Sequence, residues 1–535
     1  MFPSQSEYLS FQSYWDSALH DGLYQAYVSG ATPDFIGDLR LASSKVSQAS
    51  NSELEIVFFE TVNMGNGQYS SNPWLQEMPD PVARTSWGNY LAIPVEFDGK
   101  KRFKGLNGLE DGDIAELTIG DQSFRLPVIK QFGMAPGTLA LALGYGREEA
   151  GKCGSGVGVN VNPCLTKMEG LTQYYNTEVS LSNKKGTEEY YSSVQYHHTF
   201  GVTAEKDGQI INADEADLGK AYGATGYQGS LTERSVMFTT TLKELDKSLE
   251  HKAERRAEYE HLNENTLYPF EKYSEEKYEQ GHHWGMHVDL NACIGCNACT
   301  VACIAENNVP VVGKKEVSRH HEMTWLRIDR YYFGSAENPN VVYQPMMCQH
   351  CDNAPCENVC PVNATNHSSE GLNQMAYNRC VGTRYCANNC PYKVRRFNWL
   401  DYTTADIFPG NQPTLNGEDL PFGADNLTRM VLNPDVTVRV RGVIEKCSFC
   451  VQRIQEGKLA AKSEGRKLMD SDVRTACQTA CPTGAITFGD RNNKKGELSK
   501  KFNNPLNFIS LEEVNVRSSV NYTMKVVNRE DSLEA

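Results

Sequence analysis

Apolar and polar positions alternate over short distances through the first half of the chain. Runs of this kind fall at residues 55–61, 90–97, 114–119, 124–130 and 138–145. Turn signals separate them at Asp98-Gly99, Asp111-Gly112-Asp113, Gly120-Asp121 and Pro136-Gly137. A period of two puts alternate side chains on one face, so each run predicts a strand. Many short strands with frequent glycine turns predict a barrel or sandwich between about residues 50 and 240. The first 45 residues predict mixed helix and loop. Residues 242–283 are densely charged with few aliphatic side chains, which predicts an exposed helix and an extended linker. Residues 286–290 predict a short strand, and residues 401–440, with few helix signals and no cysteine, predict a long insertion.

Composition narrows the class. A chain of 535 residues has room for two to four domains. The mean hydropathy is −0.51 and no run of 18 apolar residues occurs, so no membrane span is expected. A formal net charge of −15 argues against a nucleic-acid partner, which requires a basic face. The opening Met1-Phe2-Pro3-Ser4 lacks a basic, apolar leader, so either the chain stays where it is made or it is part of a longer precursor.

The chemistry lies in the cysteines, fifteen of the seventeen being in the second half. They form four sets: Cys293, Cys296, Cys299 and Cys303; Cys348, Cys351, Cys356 and Cys360; Cys380, Cys386 and Cys390; and Cys447, Cys450, Cys477 and Cys481. Thr383 stands where the third set calls for a cysteine. Cys-x2-Cys-x2-Cys-x3-Cys spacing suits iron–sulfur ligation, in which the fourth thiolate crosses to the partner cluster of a pair. The Cys-Pro step that closes three of the sets is expected to begin a short helix or turn. We therefore expect three 4Fe–4S clusters and one 3Fe–4S cluster. The first would be held by Cys293, Cys296, Cys299 and Cys481, and the second by Cys447, Cys450, Cys477 and Cys303. Cys348, Cys351, Cys356 and Cys390 would hold the third. Cys380, Cys386 and Cys360 would hold the 3Fe–4S centre, where the neutral hydroxyl of Thr383 is a poor iron ligand. The alternative at Thr383 is an ordinary cluster with a water ligand.

Competing uses of the cysteines fit less well. Disulfides suit small secreted scaffolds, and zinc sites pair two Cys-x2-Cys units rather than these quartets. No Cys-x-x-Cys is followed by His, which excludes covalent haem. Cys153 and Cys164 read as ordinary buried thiols. Trp325 and Trp399 read as core packing rather than electron relays. Lys393, Arg395, Arg396 and Lys446 flank the cysteines and read first as a solvated face, with charge compensation or partner docking as the alternatives. The glycines at 154, 156 and 158 lack the strand–helix context of a Rossmann fingerprint.

Residues 284–490 resemble the four-cluster ferredoxin subunits of the molybdopterin-oxidoreductase superfamily. A narrower similarity, to the iron–sulfur subunit of bacterial alternative complex III, rests on four segments. These are Trp284-Gly285-Met286, Asp289-Leu290-Asn291-Ala292-Cys293-Ile294-Gly295-Cys296, the stretch from Ala305 through Gly313, and Cys380-Val381-Gly382-Thr383-Arg384-Tyr385-Cys386. Thr85-Ser86-Trp87-Gly88-Asn89, Leu109 through Asp113, and Leu126-Pro127-Val128 resemble the C-terminal barrel of molybdopterin enzymes. The resemblance implies an α+β chain: a double-psi barrel-like domain over 1–241 without molybdopterin, a charged linker over 242–283, and two tandem two-cluster ferredoxin-like units over 284–535. It implies an electron-transfer subunit with no active site of its own, relaying electrons from quinol to cytochrome c or a terminal oxidase. The implied partners are an integral membrane quinol-binding subunit and c-type cytochromes. The implied place is peripheral on the periplasmic side, the cytoplasmic side being the alternative. The alternative function is an electron-transfer module of an active molybdenum oxidoreductase acting on sulfur or nitrogen compounds.

Overall fold

The computed structural model describes residues 10–21, 38–41, 43, 53–97, 103–168, 170–194, 202–206, 209–212, 236–263, 277–335, 338–400, 402, 414–415, 418–419 and 430–528. The expected turn at 98–99, the linker over 264–276 and most of the 401–440 insertion lie outside these residues. The chain divides into two compact units, Met1–Asn51 and Ser52–Ala535. In the first, the helix Phe11–Asp21 stacks Phe11 on Trp15 with ring centroids 6.0 Å apart.

The larger unit begins with a nine-stranded curled sheet. Its main path runs Val179–Leu181, Asp113–Ile119, Gln122–Gln131, Leu91–Phe97, Thr138–Ala142, Glu55–Phe59, Tyr175–Asn176. All five strands expected from alternation form, with ends displaced by a few residues. Asp113–Ile119 shows why: every second side chain, Ala115, Leu117 and Ile119 among them, is buried. They pack with Ile56, Phe58, Leu91, Ile93, Leu126, Val128, Leu139 and Leu141. Each such side chain removed from water contributes about 1.5–3 kcal/mol. The pairing mixes directions: Glu55–Phe59 runs parallel to Thr138–Ala142 and Leu91–Phe97 parallel to Gln122–Gln131, while Asp113–Ile119 and Gln122–Gln131 form a hairpin.

The charged segment forms a helix over Leu245–Asn263. Beyond it, the expected strand is Trp284–Asp289, the centre of a four-stranded sheet. Ile486–Asp490 pairs with it antiparallel on one side and Val520–Thr523 parallel on the other. A long hairpin, Arg327–Ser335 with Asn340–Met346, leads straight into Cys348. Among the described residues no helix is long and apolar enough to cross a membrane. One continuous core runs through this half, and it takes in Trp87 and Met237 from the first half as well as many of the cysteines.

Candidate iron–sulfur centres

Two of the four cysteine loops repeat one backbone course. In Cys293-Ile294-Gly295-Cys296-Asn297, Gly295 has φ 71° and Asn297 has φ 60°; in Cys380-Val381-Gly382-Thr383-Arg384, Gly382 has φ 72° and Arg384 has φ 59°. Both loops then enter a helix, Ala298–Glu306 and Tyr385–Asn389, one residue before the next cysteine. Thr383 therefore occupies the place that Cys296 holds in the first loop. Glycine is required at both left-handed positions for space as well as for φ. A Cβ on Gly295 would lie 2.6 Å from the Tyr343 ring, and one on Gly382 would lie 2.5 Å from the Gly442 carbonyl oxygen.

The other two loops repeat a second course and meet each other. His350, inside Cys348-x2-Cys351, has φ 43°, and Phe449, inside Cys447-x2-Cys450, has φ 55°. Both are fully buried, and their rings stack with centroids 3.8 Å apart. The Cys-Pro steps at Cys360 and Cys481 are also alike. The N–H of Ala364 donates to Cys360 Sγ at 3.2 Å, and the N–H of Ala485 donates to Cys481 Sγ at 3.2 Å. Of the helix or turn expected after these steps, a turn forms. The helical residues precede them, over Pro355–Asn358 and Ala476–Ala480, because proline cannot continue a helix that needs its N–H.

The thiols gather in an order. Cys293 and Cys299 face Cys296 and Cys481. Cys303 faces Cys447, Cys450 and Cys477, far away in sequence. Cys351 faces Cys348, Cys390 and Cys356, and these four line one small cavity with Pro391 and Arg395. Cys360 and Cys386 both face Arg395, and Cys380 packs against the same core. Neighbouring groups lie close enough to interact electrostatically, Cys299 with Cys477 and Cys447 with Cys348, with Arg395 between the last two groups. All seventeen cysteines are free thiols, so no disulfide forms. Among the described residues no three His, Cys, Asp or Glu side chains come together so as to hold one metal ion. A tetrahedral zinc needs four donors within about 2.3 Å of one centre. The ligands of a cluster bind separate irons and stand further apart.

Electrostatics suits such a group. Burial pushes the Cys293 thiol up to about 11, and the Cys356 and Cys450 thiols up to about 12, with neighbouring thiolates adding to the rise. Crowded thiolates in a dry interior need a cation, and a coordinating metal deprotonates a thiol outright. Cys360 and Cys481 differ. Burial opposes their thiolates, but backbone N–H groups at Cys360, and the Thr483 hydroxyl together with backbone N–H groups at Cys481, outweigh it and hold both below the usual thiol range. Further donors approach sulfur: Phe449 N–H to Cys447 at 3.4 Å, Ala476 N–H to Cys450 at 3.5 Å, and Asn307 Nδ2 to Cys303 at 3.6 Å. The residues present thus fit iron–sulfur clusters.

Several expectations need correction. Arg395 and Lys446, read as a solvated face, are 6 % and 2 % exposed. Only Lys393 of that set is exposed, and Arg396 is half-buried in an ion pair with Glu322. Their positions after Cys390-Pro391 and before Cys447 draw Arg395 and Lys446 inward with the thiol loops. Trp325 is core, but Trp399 lies on the surface, stacked on His321 with centroids 4.5 Å apart and covered by the Arg384 guanidinium. It secures the Thr383 loop from outside. Cys164 is buried as expected, whereas Cys153 is half-buried in a short helical turn. No sequence signal announced the His350–Phe449 contact, because nothing local couples residues a hundred positions apart.

Residues 292–364 and 339–406 each match the 4Fe-4S dicluster domain family. The iron–sulfur cluster-binding subunit of menaquinone reductase from Nitratidesulfovibrio vulgaris is 39% identical over 247 residues, which are 45% of this chain and 88% of that protein. A putative dimethyl sulfoxide reductase iron–sulfur subunit of Halobacterium salinarum is 33% identical, over 41% of this chain and 70% of its own. A polysulfide reductase chain of Wolinella succinogenes is 29% identical, over 41% and 81%. With repeated cysteine loops, buried thiol groups and these relatives, this protein belongs to the family of 4Fe–4S dicluster iron–sulfur subunits of molybdopterin oxidoreductases.

Proposed function

We propose that the chain is the electron-transfer subunit of a membrane quinone-linked oxidoreductase. The observation that carries this reading is the ordered run of thiol groups through one core, each within electrostatic reach of the next. Cys293, Cys296, Cys299 and Cys481 would hold one 4Fe–4S cluster, and Cys447, Cys450, Cys477 and Cys303 the second. Cys348, Cys351, Cys356 and Cys390 would hold the third. Cys380, Cys386 and Cys360 would hold a 3Fe–4S cluster beside Thr383. When bound, such clusters pass single electrons without making or breaking a substrate bond. The chain's own residues do the rest: loops fix the thiols, backbone and asparagine N–H groups favour their charged form, and the core excludes water. The 1–241 sheet, the 242–283 segment and the 284–535 cluster half would be its domains, the first a double-psi barrel-like fold without cofactor.

The relatives' names, menaquinone, dimethyl sulfoxide and polysulfide reductases, support a module serving a molybdenum oxidoreductase that acts on sulfur or nitrogen compounds. The partner would be a membrane subunit that handles quinone, with this chain peripheral to it. A second reading, quinol oxidation toward c-type cytochromes as in alternative complex III, is favoured by one observation: Thr383 in the ligand position of a repeated loop. EPR spectroscopy of the anaerobically purified, oxidised protein tests the shared core of both readings. An isotropic signal lost on mild reduction is expected, and Thr383→Cys is expected to abolish it while iron rises. Protein lacking iron would refute the reading. Molybdenum in the purified complex favours the first partner, and haem c the second.

A further inference from the structure

Two buried cations meet at one asparagine beside the third thiol group. Arg395 donates from Nη1 to Cys356 Sγ at 3.4 Å and to Asn373 Oδ1 at 3.3 Å, and from Nη2 to Thr365 Oγ1 at 2.7 Å and Met375 Sδ at 2.8 Å. Lys446 Nζ donates to the carbonyl oxygens of Asn373 and Cys447. Asn373 Nδ2 completes the bridge by donating to Cys356 Sγ at 3.7 Å. The same amide also donates to Glu357 Oε1 at 2.7 Å, a carboxylate paired with His367, whereas the acceptors named for Arg395 and Lys446 themselves include no carboxylate. The Arg395 Nε–H is buried without a partner.

An uncompensated buried cation is costly, and opposite charge nearby must offset it. Here the thiols supply that charge. The Arg395 guanidinium lies against Cys356, and Cys348 and Cys390 line the same small cavity. The second group is arranged differently. Arg439 near Cys303 is paired with the buried Glu445, and Arg453 near Cys450 is paired with Glu306. Those cations bring their own anions. Lys525, beside Cys293, is partly open to water, which screens it.

We propose that Arg395 and Lys446 are positioning charges that make the Cys348–Cys351–Cys356–Cys390 group the most readily reduced 4Fe–4S site on this chain. Reduction adds one negative charge to the site and no proton. Two fixed positive charges in a dry interior favour that added charge, whereas a paired Arg–Glu contributes little net field. Electrons would therefore dwell at the third site, beside the join between the two cysteine units. This inference rests on the iron–sulfur reading above.

The test is an EPR-monitored redox titration of the full chain, anaerobically purified, with the third site's signal identified by its loss in Cys356→Ser. Arg395→Met and Lys446→Met are each expected to shift electron occupancy at that site at least tenfold, a fall of 59 mV or more. Arg395→Lys and Lys446→Arg keep the charge and are expected to stay near wild type. Asn373→Asp places a carboxylate between both cations and is expected to lower the potential with neither cation removed, which covers a Met variant that fails to fold. Full iron content with unshifted potentials in the Met and Asp variants would overturn the proposal. So would equal shifts in the charge-keeping variants, which would indicate packing. Wild-type protein without iron would instead refute the iron–sulfur reading.

Discussion

A single methyl group tests the Thr383 loop. The Cβ of Gly382→Ala would meet a backbone oxygen that cannot swing aside, at a φ few side chains adopt. Such strain costs on the order of 1–3 kcal/mol. The expected outcome is selective: EPR of the variant loses the signal of the centre nearest Thr383, while the others persist. Glu77 makes a second residue-scale prediction. It is wholly buried, accepting from the N–H groups of Val312 and Gly313 and from Trp87 Nε1. Desolvation leads, these donors oppose it, and Glu322 adds repulsion, so its pKa rises to about 7. The folded chain then holds a proton that the unfolded chain releases near its ordinary 4.5. Stability from this group is complete at low pH and falls by roughly 1.4 kcal/mol per pH unit as pH climbs between the two values. Denaturant unfolding should show that slope, and Glu77→Gln should flatten it.

At the scale of elements, the end of the insertion acts as a clamp. Arg439 donates to the carbonyls of Asn307 and Asn308, at the end of the helix that carries Cys299 and Cys303, and pairs with Glu445 at 2.7 Å. Asn308 and Asn433 also exchange bonds across this seam. Arg439→Met should leave Glu445 in the core without its ion-pair partner and cost about 3–5 kcal/mol. Chemical denaturation of the folded holoprotein would measure it. The same contrast explains what was legible in the sequence. Strands such as Asp113–Ile119 announce themselves because burial alternates along the chain itself. The four cysteine sets were legible because their spacing recurs along the chain itself, and their loops lie in one buried core. The clamp was not legible, since Arg439 and Asn307 are joined only by the fold. Neither was the burial of Lys446, whose charge reads as solvent-facing in any local window.

For the whole molecule, the thiol groups stand in a sequence set by crossed connections rather than by chain order. Cys303 joins residues near 450 and 477, and Cys481 returns to residues near 293. The sheet is crossed in the same way, its central strand Trp284–Asp289 flanked by two much later segments. Removing residues from Ser519 onward should expose the whole Val520–Thr523 edge of that strand. Such a chain is expected to lose iron and to be cut by protease within the 284–490 region, while the full chain resists.

The return of Cys481 to the first loop also sets a timetable. On the ribosome the Cys293–Cys299 loop emerges long before Cys481, the thiol that comes to lie near it, and the flanking strand at Val520 later still. At about 5–20 residues per second, that first loop waits roughly ten seconds or more with its thiols exposed and unpaired. With the ligand set proposed above, a centre loaded during that interval would lack a corner ligand and be open to oxygen. Metal delivery is thus expected to await the arrival of Cys481 and of the Val520–Thr523 strand, so that a stalled product never acquires a redox-active and hazardous half-built site.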